Sequence, residues 1–196
     1  MNNGTAQTGT TIPGYVAGTW AIDPVHSNVG FAVRHMMVSK VRGRFVRFTG
    51  QVVTASRLSD SSVFAEIDMA SVDTGTEQRD NDLLSSNFFE VEKYPTMTYR
   101  STGLRVDGEE LILDGDLTLK GITRLVPLAV EINGVTNDPN VGTVAGFTAT
   151  GSLNRRDFGV DFDAPLRGGG AVVADTINIE LEIEAALQPD DDLSRP

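Results

Sequence analysis

Apolar and polar residues alternate most regularly in residues 177–184. The apolar members of this stretch are Ile177, Ile179, Leu181 and Ile183, which alternate with one asparagine and three glutamates. Because successive side chains of a β-strand point to opposite faces, this alternation predicts a strand with one face in water and one against apolar groups. The same period recurs over residues 29–34, 96–100 and 126–132. A strand period repeated along the chain predicts an all-β protein.

Two short motifs predict tight turns between such strands. Asp107-Gly108 lies between two apolar runs and is a strong signal for a two-residue β-hairpin. Residues 120–123 (KGIT) predict a second turn, which leads into the strand that contains Val126. Short strands joined by tight turns are typical of antiparallel sheets.

One stretch departs from the strand period. Thr74 stands three residues before Glu77, which is the spacing of a capping box, and a short helix is predicted over residues 78–86. Many adjacent strands with a single apolar face must close on themselves or stack against a second sheet. The interpretation is a barrel of about eight or more short strands with one short helical flap, and a two-sheet sandwich stays open as the alternative, because periodicity alone does not choose between them.

The chain divides into three parts by composition. Residues 1–17 are polar, rich in glycine and threonine and without periodicity, so they predict a flexible N-terminal arm. Residues 188–196 predict a disordered acidic tail. The intervening residues 18–187 form the predicted β-barrel domain.

Composition and charge narrow the classes of protein. No cysteine occurs, which excludes disulfides and cysteine-ligated metals. The net charge of −11 predicts a uniformly acidic surface, so we expect no nucleic-acid partner and no binding to anionic lipid headgroups. No apolar run approaches the roughly 18 residues of a membrane span. The first residues lack the basic run and apolar core of a secretory signal, which predicts a cytoplasmic protein without an integral membrane segment.

Several segments resemble the YceI-like family, in the same order along the chain. They are residues 20–35 (WAIDPVHSNVGFAVRH), 41–45 (VRGRF), 79–83 (RDNDL) with 88–89 (FF) and 94–95 (YP), 115–121 (GDLTLKG) and 157–159 (DFG). The resemblance extends from about Gly18 to about Leu187. It departs at Asp82 and Lys120, where the family more often shows histidine. Chemistry that needs either histidine is therefore not expected here.

The resemblance implies an extended, lipocalin-like antiparallel β-barrel of about eight strands and a binding function. Characterised members of the family carry a polyisoprenoid chain inside the barrel, often as periplasmic or secreted proteins. The expected partner is thus a long-chain isoprenoid or another apolar small molecule, held without a cofactor, a metal or catalysis. The side chains expected to line the cavity are Phe31, Val33, Phe45, Met97, Tyr99, Leu117, Leu119, Phe147, Phe158, Ile179 and Leu181. A core filled by these side chains is the competing interpretation, because barrels of about eight strands are solid or hollow.

Four polar residues are candidates for the mouth of the cavity and for contact with a ligand headgroup. They are His26, Ser27, Arg79 and Arg156, with Arg155 and Arg167 near the later turns as equal candidates for the headgroup. Guanidinium groups suit a phosphate because they bind it in bidentate fashion. For Arg79, which stands beside Asp80, tying the short helix to neighbouring turns is the more common role.

The two histidines, His26 and His35, invite a metal site or an acid–base pair. They stand nine residues apart on one predicted strand, which separates them by about 30 Å, so they do not share an ion. Asp23, His26 and Ser27 leave open a hydrolase or isomerase built on a nucleophilic triad. Aspartate and serine in such turns more often bond to the backbone.

The function predicted from the sequence is the carriage or storage of an isoprenoid by a protein that is not an enzyme. The alternatives are the hydrolase or isomerase and a solid-core, stress-related interaction module. Lipocalin-like barrels with an exposed edge often dimerise, so a homodimer is the expected oligomer. A hollow interior is the observation that separates the first function from the last.

Overall fold

The computed structural model describes residues 12–36, 38–163 and 172–189, and over these residues the fold is almost entirely β. In chain order the strands are β1 (Gly18–Ile22), β2 (Asn28–His35), β3 (Ser39–Phe45), β4 (Phe48–Thr54), β5 (Ser62–Asp68), β6 (Val72–Asp73), β7 (Thr96–Asp107), β8 (Glu110–Leu119), β9 (Ile122–Leu125), β10 (Leu128–Asp138), β11 (Gly142–Asn154) and β12 (Val173–Leu187). One α-helix, α1 (Glu77–Leu84), follows β6. Within these ranges no helix has the length and apolar character needed to cross a membrane.

Eight strands close into a ring. Its order is β1, β4, β5, β7, β8, β10, β11 and β12, and β12 returns to β1 by pairing Leu187 with Trp20. Every pairing in the ring is antiparallel. Closure removes the free edges that an open sheet would expose. The predicted antiparallel barrel of eight strands is confirmed, and the two-sheet sandwich is not formed.

At three positions around the barrel, two successive strands form one long strand that bends. β1 and β2 are separated by residues 23–27, β3 and β4 by residues 46–47, and β9 and β10 by residues 126–127. Pro127 has no amide hydrogen to give to a neighbouring strand, which explains the third break. Beyond the first two bends, β2 and β3 continue the wall, because β2 pairs with both β12 and β3. The bends thus extend the barrel along its axis.

Both predicted turns are found, with shifted bounds. Gly108 follows β7 with a φ of +63°, and the turn is formed by residues 108 and 109, one position later than predicted. The second turn is shorter than predicted, because Lys120 and Gly121 alone join β8 to β9, with φ values of +51° and +72°, and residues 122–123 already belong to β9. Positive φ at these positions matches the twist of the strands that the turns connect.

Helix α1 begins one residue earlier than predicted, and the expected capping box does not form. Thr76 holds the N-cap position, and its side chain makes no capping hydrogen bond. Thr74 is bound instead by Asp80, whose carboxylate accepts from the Thr74 amide at 2.9 Å and from its hydroxyl at 2.5 Å. The helix is therefore fastened to the preceding turn by a residue of its own first turn.

The last part of the predicted flexible arm, residues 12–17, packs against the barrel. The Tyr15 hydroxyl donates to the carbonyl of Ala55 at 2.6 Å, and the carbonyl of Val16 accepts from a threonine hydroxyl of β4 at 2.7 Å. Residues 1–11 of the arm and residues 190–196 of the predicted tail lie outside the described residues. The packed part of the chain therefore begins before Gly18.

Candidate functional site

A cavity of about 300 Å³ occupies the inside of the barrel. This volume is at the lower end of the roughly 300–1,000 Å³ found for ligand sites. Inward-facing side chains from every strand of the ring contribute to its wall. The cavity is therefore enclosed by the sheet itself.

The cavity is long as well as narrow. The side chains of β12 that line it run from Val173 to Ile183, ten residues apart. With a rise of about 3.3 Å per residue and a strand tilt of about 40°, they cover roughly 25 Å of the barrel axis. A volume of about 300 Å³ spread over that length suits an extended chain better than a compact molecule.

Ten of the eleven side chains predicted to line the interior do line it. They are Phe31, Val33, Phe45, Met97, Tyr99, Leu117, Leu119, Phe147, Ile179 and Leu181. Six of these are only half-buried although they point inward, namely Phe31, Val33, Met97, Phe147, Ile179 and Leu181. In a solid core they would be fully buried, because protein interiors contain few voids. The interior is hollow, which contradicts the filled-core interpretation.

Phe158 is the exception among the predicted wall residues. It is 1% exposed and packs among the buried side chains without lining the cavity. Strand β11 ends at Asn154, and residues 155–158 form a turn of 3-10 helix. The alternation that would point residue 158 into the barrel therefore stops before it is reached.

Two glycines make room for aromatic rings of the wall. A Cβ atom on Gly43 would lie 2.4 Å from the ring of Phe31, and one on Gly115 would lie 2.3 Å from the ring of Tyr99. Contacts this short would force the rings to move, so each ring occupies the space over a glycine of a neighbouring strand. Rings held in this way stay against the wall and leave the centre of the barrel open.

The polar groups of the buried wall form hydrogen bonds within the wall. The Thr54 hydroxyl accepts from the Trp20 indole at 2.8 Å. The Tyr99 hydroxyl lies 3.1 Å from the carbonyls of both Leu113 and Val126. Among the described residues, no buried side-chain nitrogen or oxygen lacks a hydrogen-bond partner. The cavity therefore presents apolar surface to a ligand.

Replacing Tyr99 with phenylalanine should lower the free energy of unfolding by about 1 kcal/mol. The two buried carbonyls lose the phenol hydroxyl that donates to them. This hydroxyl stays protonated because burial raises its pKa, and the charges of Asp114 and Asp116 raise it further. Urea denaturation measures the loss. Tyr15→Phe, at the half-buried end of the barrel, is the comparison and should cost less. Equal losses in the two variants would contradict the structural role given to Tyr99.

Arg155 is the one charged side chain that lines the cavity in the part of the chain that the structure describes, and it is 3% exposed. Its guanidinium donates to the carbonyls of Val160, Ala174 and Val173 at 2.6, 3.1 and 3.3 Å. It also pairs with Asp175 at 2.9 Å. The group fastens the turn after β11 to the start of β12, so most of its donors are already in use.

The two other predicted headgroup arginines make structural contacts outside the cavity. Arg79 donates to the Thr74 hydroxyl at 2.7 Å and to the Thr74 carbonyl at 2.9 Å, which ties α1 to the turn before it. Arg156 pairs with Asp175 at 2.8 Å. Neither side chain lines the cavity. Arg167 lies outside the described residues.

His26 and Ser27 lie in the bend between β1 and β2, and neither lines the cavity. The His26 imidazole is 64% exposed and contacts the Asp23 carboxylate at 2.7 Å. The Ser27 hydroxyl is bound to the backbone of Glu184, accepting from its amide at 2.9 Å and donating to its carbonyl at 3.2 Å. Over the described residues no hydrogen bond joins Ser27 to His26. The serine–histidine contact that a triad requires is therefore not formed.

The side chains near this bend are also of the types that bind metals. Ligand atoms of Asp23, His26 and Glu184 lie within 4.8 Å of one another. All three side chains are at least partly exposed, and His26 already bonds to Asp23. The case for a cation site at these three side chains therefore rests on their proximity alone. His35, at the far end of β2, belongs to no such cluster among the described residues.

The Asp23–His26 pair predicts a pH dependence. The hydrogen bond from His26 lowers the pKa of Asp23 below 3.8, and the same bond, with the nearby charges of Asp23 and Glu184, raises the pKa of His26 above 6.5. The histidine contribution to stability is full below pH 6.5 and is lost as the pH rises through the raised value. The aspartate contribution is present above pH 3.8 and is lost as the pH falls through the lowered value.

An NMR titration of the His26 ring should therefore show a midpoint above 6.5. In the Asp23→Asn variant the midpoint should move down, because the largest cause of the shift is removed. The variant should also lose part of the stability difference between mildly acidic and alkaline solution. An unchanged midpoint would show that the pair is not formed in solution.

Several wall residues were missed from the sequence. Trp20 lines the cavity and is 1% exposed, but it belongs to a strand of five residues, too short to show a clear period. Leu83, Phe88 and Phe89 of the helical flap also line it. The signal for these was the phenylalanine pair directly after the helix, since exposed turns rarely carry two large apolar side chains.

Comparisons with known sequences agree with this architecture. The family model of the YceI-like domain matches residues 20–185. A UPF0312 protein of Staphylococcus epidermidis is 35% identical over 167 residues, which cover 84% of this chain and 95% of the relative. A UPF0312 protein of Staphylococcus aureus is 34% identical over 172 residues, which cover 86% of this chain and 97% of the relative.

Solved structures share the fold. The YceI protein of Campylobacter jejuni has a TM-score of 0.68 at 25% identity, over 97% of this chain and 100% of that one. A polyisoprenoid-binding domain from Saccharophagus degradans, implicated in plant cell wall breakdown, has a TM-score of 0.62 at 15% identity, over 88% of this chain and 100% of that one. At the latter identity the likeness concerns the fold alone.

Proposed function

Because this chain belongs to the YceI-like family, we propose that it binds a long apolar chain of the isoprenoid class inside its barrel and carries or stores it unchanged. The observation that carries the proposal is the long cavity, in whose described wall the buried polar side chains are already engaged in hydrogen bonds with the protein. A ligand there gains little from hydrogen bonds. It gains from leaving water.

The energetics favour a long ligand. A dozen buried CH2 groups contribute roughly 10 kcal/mol, at about 0.8 kcal/mol each. Association costs about 4–15 kcal/mol in lost translational and rotational freedom. A short hydrocarbon would therefore bind weakly, whereas a chain that fills the length of the cavity binds usefully.

Two observations support the isoprenoid class. The structural neighbour from Saccharophagus degradans is named for polyisoprenoid binding. Within the wall of this chain, Met69 and Met97 are unbranched and adaptable, so they accommodate the regularly spaced methyl branches of an isoprenoid.

The chemistry of the wall supports a carrier over an enzyme. General acid–base catalysis needs a titratable group within hydrogen-bonding reach of the substrate. Among the described residues no histidine, lysine or carboxylate lines the cavity. Arg155 does line it, but its guanidinium is held by three backbone carbonyls and one aspartate. The solid-core interaction module is not supported, because the inward-facing side chains stay half-buried.

The position of Trp20 provides a direct test. It is the single tryptophan of the chain and lines the cavity. Binding of the fluorescent polyene cis-parinaric acid should quench Trp20 emission by energy transfer, and added solanesol, a long polyprenol, should restore it. A Trp20→Phe variant should give no transfer yet still retain solanesol in native mass spectrometry. Failure of solanesol both to displace the polyene and to co-purify with the protein would refute the proposal.

A further inference from the structure

Positive charge is concentrated in one part of this acidic chain. Residues 24–59 hold six of the sixteen basic residues and no aspartate or glutamate, although the net charge of the chain is −11. Four of the six lie exposed on the hairpin of β2 and β3, namely Arg34, Lys40, Arg42 and Arg44. The expectation of a uniformly acidic surface is therefore wrong.

The cations of this hairpin form a strip on its outer face. Arg34 and Lys40 stand opposite each other as register partners. Arg42 and Arg44 follow Lys40 at intervals of two residues, or about 7 Å. The last two are partly neutralised by carboxylates at 3.7 and 3.2 Å. Arg34 and Lys40 form no ion pair with any residue that the structure describes.

The tip of the same hairpin is apolar. Met36 is 44% exposed and Val38 is 82% exposed, and both lie between Arg34 and Lys40 in the chain. Exposed apolar side chains flanked by cations are the combination with which proteins enter the interface of an anionic bilayer. Neither the charges nor the apolar tip are used by the cavity wall.

Two other hairpin tips carry valines of similar exposure but opposite charge. Val106 in the β7–β8 hairpin is 68% exposed, and Val141 in the β10–β11 hairpin is 66% exposed. Acidic residues flank them, including Asp107 and Asp138. These two tips lie at the other end of the barrel from the β2–β3 tip. β11 begins at the β10–β11 tip, and its far end pairs with the start of β12. The end of β2, which leads into the β2–β3 tip, also pairs with the start of β12. The combination of cations with an apolar tip is therefore found at one end.

We propose that the β2–β3 hairpin docks this protein onto a bilayer that contains anionic phospholipids. Met36 and Val38 enter the interface, and Arg34 and Lys40 contact the headgroup phosphates. The anionic bilayer repels the acidic remainder of the protein, so the hairpin approaches the bilayer first. An apolar tip distinguishes this surface from a nucleic-acid site, where cations and hydrogen bonds to phosphates dominate.

Docking by this hairpin brings the cavity near the bilayer. Val33 lines the cavity and stands three residues before Met36, which directly follows β2, so about 10 Å separate the two positions. An apolar chain held in the barrel would then be close to the hydrocarbon layer. The docking itself does not depend on any cargo, so it is tested on ligand-free protein.

Flotation with vesicles tests the proposal. The protein should bind vesicles of phosphatidylcholine mixed with phosphatidylglycerol and not vesicles of phosphatidylcholine alone, and high salt should weaken the binding because it screens exposed charges. Arg34→Glu with Lys40→Glu should lower the binding by about tenfold or more, since each cation near such a surface adds measurably to affinity. Val38→Ser should lower it severalfold. Near-ultraviolet circular dichroism verifies that each variant is folded.

Matched variants separate the hairpin from general effects. Lys93→Glu with Arg124→Glu makes the same change of net charge at other exposed cations, and Val106→Ser removes a valine of similar exposure, so both should bind like the parent. Equal binding to the two kinds of vesicle, or parental binding by the hairpin variants, would overturn the proposal. So would tight binding to heparin that is indifferent to Val38→Ser, or hairpin-dependent self-association without vesicles, which would indicate a polyanion or a second copy as the partner.

Discussion

Phenylalanine in place of Ala149 is expected to lower the affinity for an apolar chain by about a hundredfold. Ala149 lines the cavity from the middle of β11, where Val130 and Leu181 are its neighbours on the adjoining strands. The added ring displaces ligand equivalent to about four CH2 groups, each contributing about 0.8 kcal/mol. In a cavity of about 300 Å³ this is a large part of the binding surface.

The same substitution should change stability little. Overpacking a solid core costs about 1–3 kcal/mol, but here the ring extends into the cavity. Thr150→Phe is the matched control, because the next residue of β11 is exposed on the outer face. Titration of the Trp20 energy transfer with cis-parinaric acid measures affinity in all three proteins. If Ala149→Phe binds as tightly as Thr150→Phe, the cavity is not the binding site.

Alanine in place of Arg155 should give the largest loss of stability among these variants, about 3 kcal/mol. The side chain is 3% exposed and donates to three backbone carbonyls while pairing with Asp175. Removing it leaves those buried acceptors without a donor, which costs more than the net value of the bonds. Chemical denaturation followed by Trp20 fluorescence measures the change.

The neighbouring arginine is the control for Arg155. Arg156 also pairs with Asp175, but its side chain is 36% exposed, so Arg156→Ala should cost no more than about 1 kcal/mol. Arg155→Lys keeps the charge but loses the planar fork of donors, and it should recover only part of the loss. Similar losses for Arg155→Ala and Arg156→Ala would show that burial does not distinguish the two sites.

The strand alternation predicted much of the barrel wall because it is a local property. In β12, Ile177, Ile179, Leu181 and Ile183 all line the cavity, as their spacing indicates. The closure of the ring through Trp20 and Leu187 is different, since it joins residues from opposite ends of the domain. No local pattern encodes such a pairing, and only the family resemblance favoured the barrel over the sandwich.

Reasoning from strand alternation failed for side chains that lie outside regular strands. Arg155 and Arg156 are adjacent and chemically identical, yet the turn of 3-10 helix buries the first and leaves the second partly exposed. The turn also carries Phe158 away from the cavity. Net charge failed in a similar way, because a total of −11 conceals where its cations lie. Both predictions were wrong for the same reason. Residue type and net charge do not say where in space a side chain lies.

The order of the strands has a consequence for biosynthesis. β12 is the last of the described strands along the chain, and it pairs with β11, β2 and β1. Until it leaves the ribosome, the earlier strands can form at most an open trough whose apolar face is in contact with the surroundings. A hydrophobic molecule met at that stage would touch the same side chains that later enclose it. The fifteen residues of β12 therefore decide when an interior first exists.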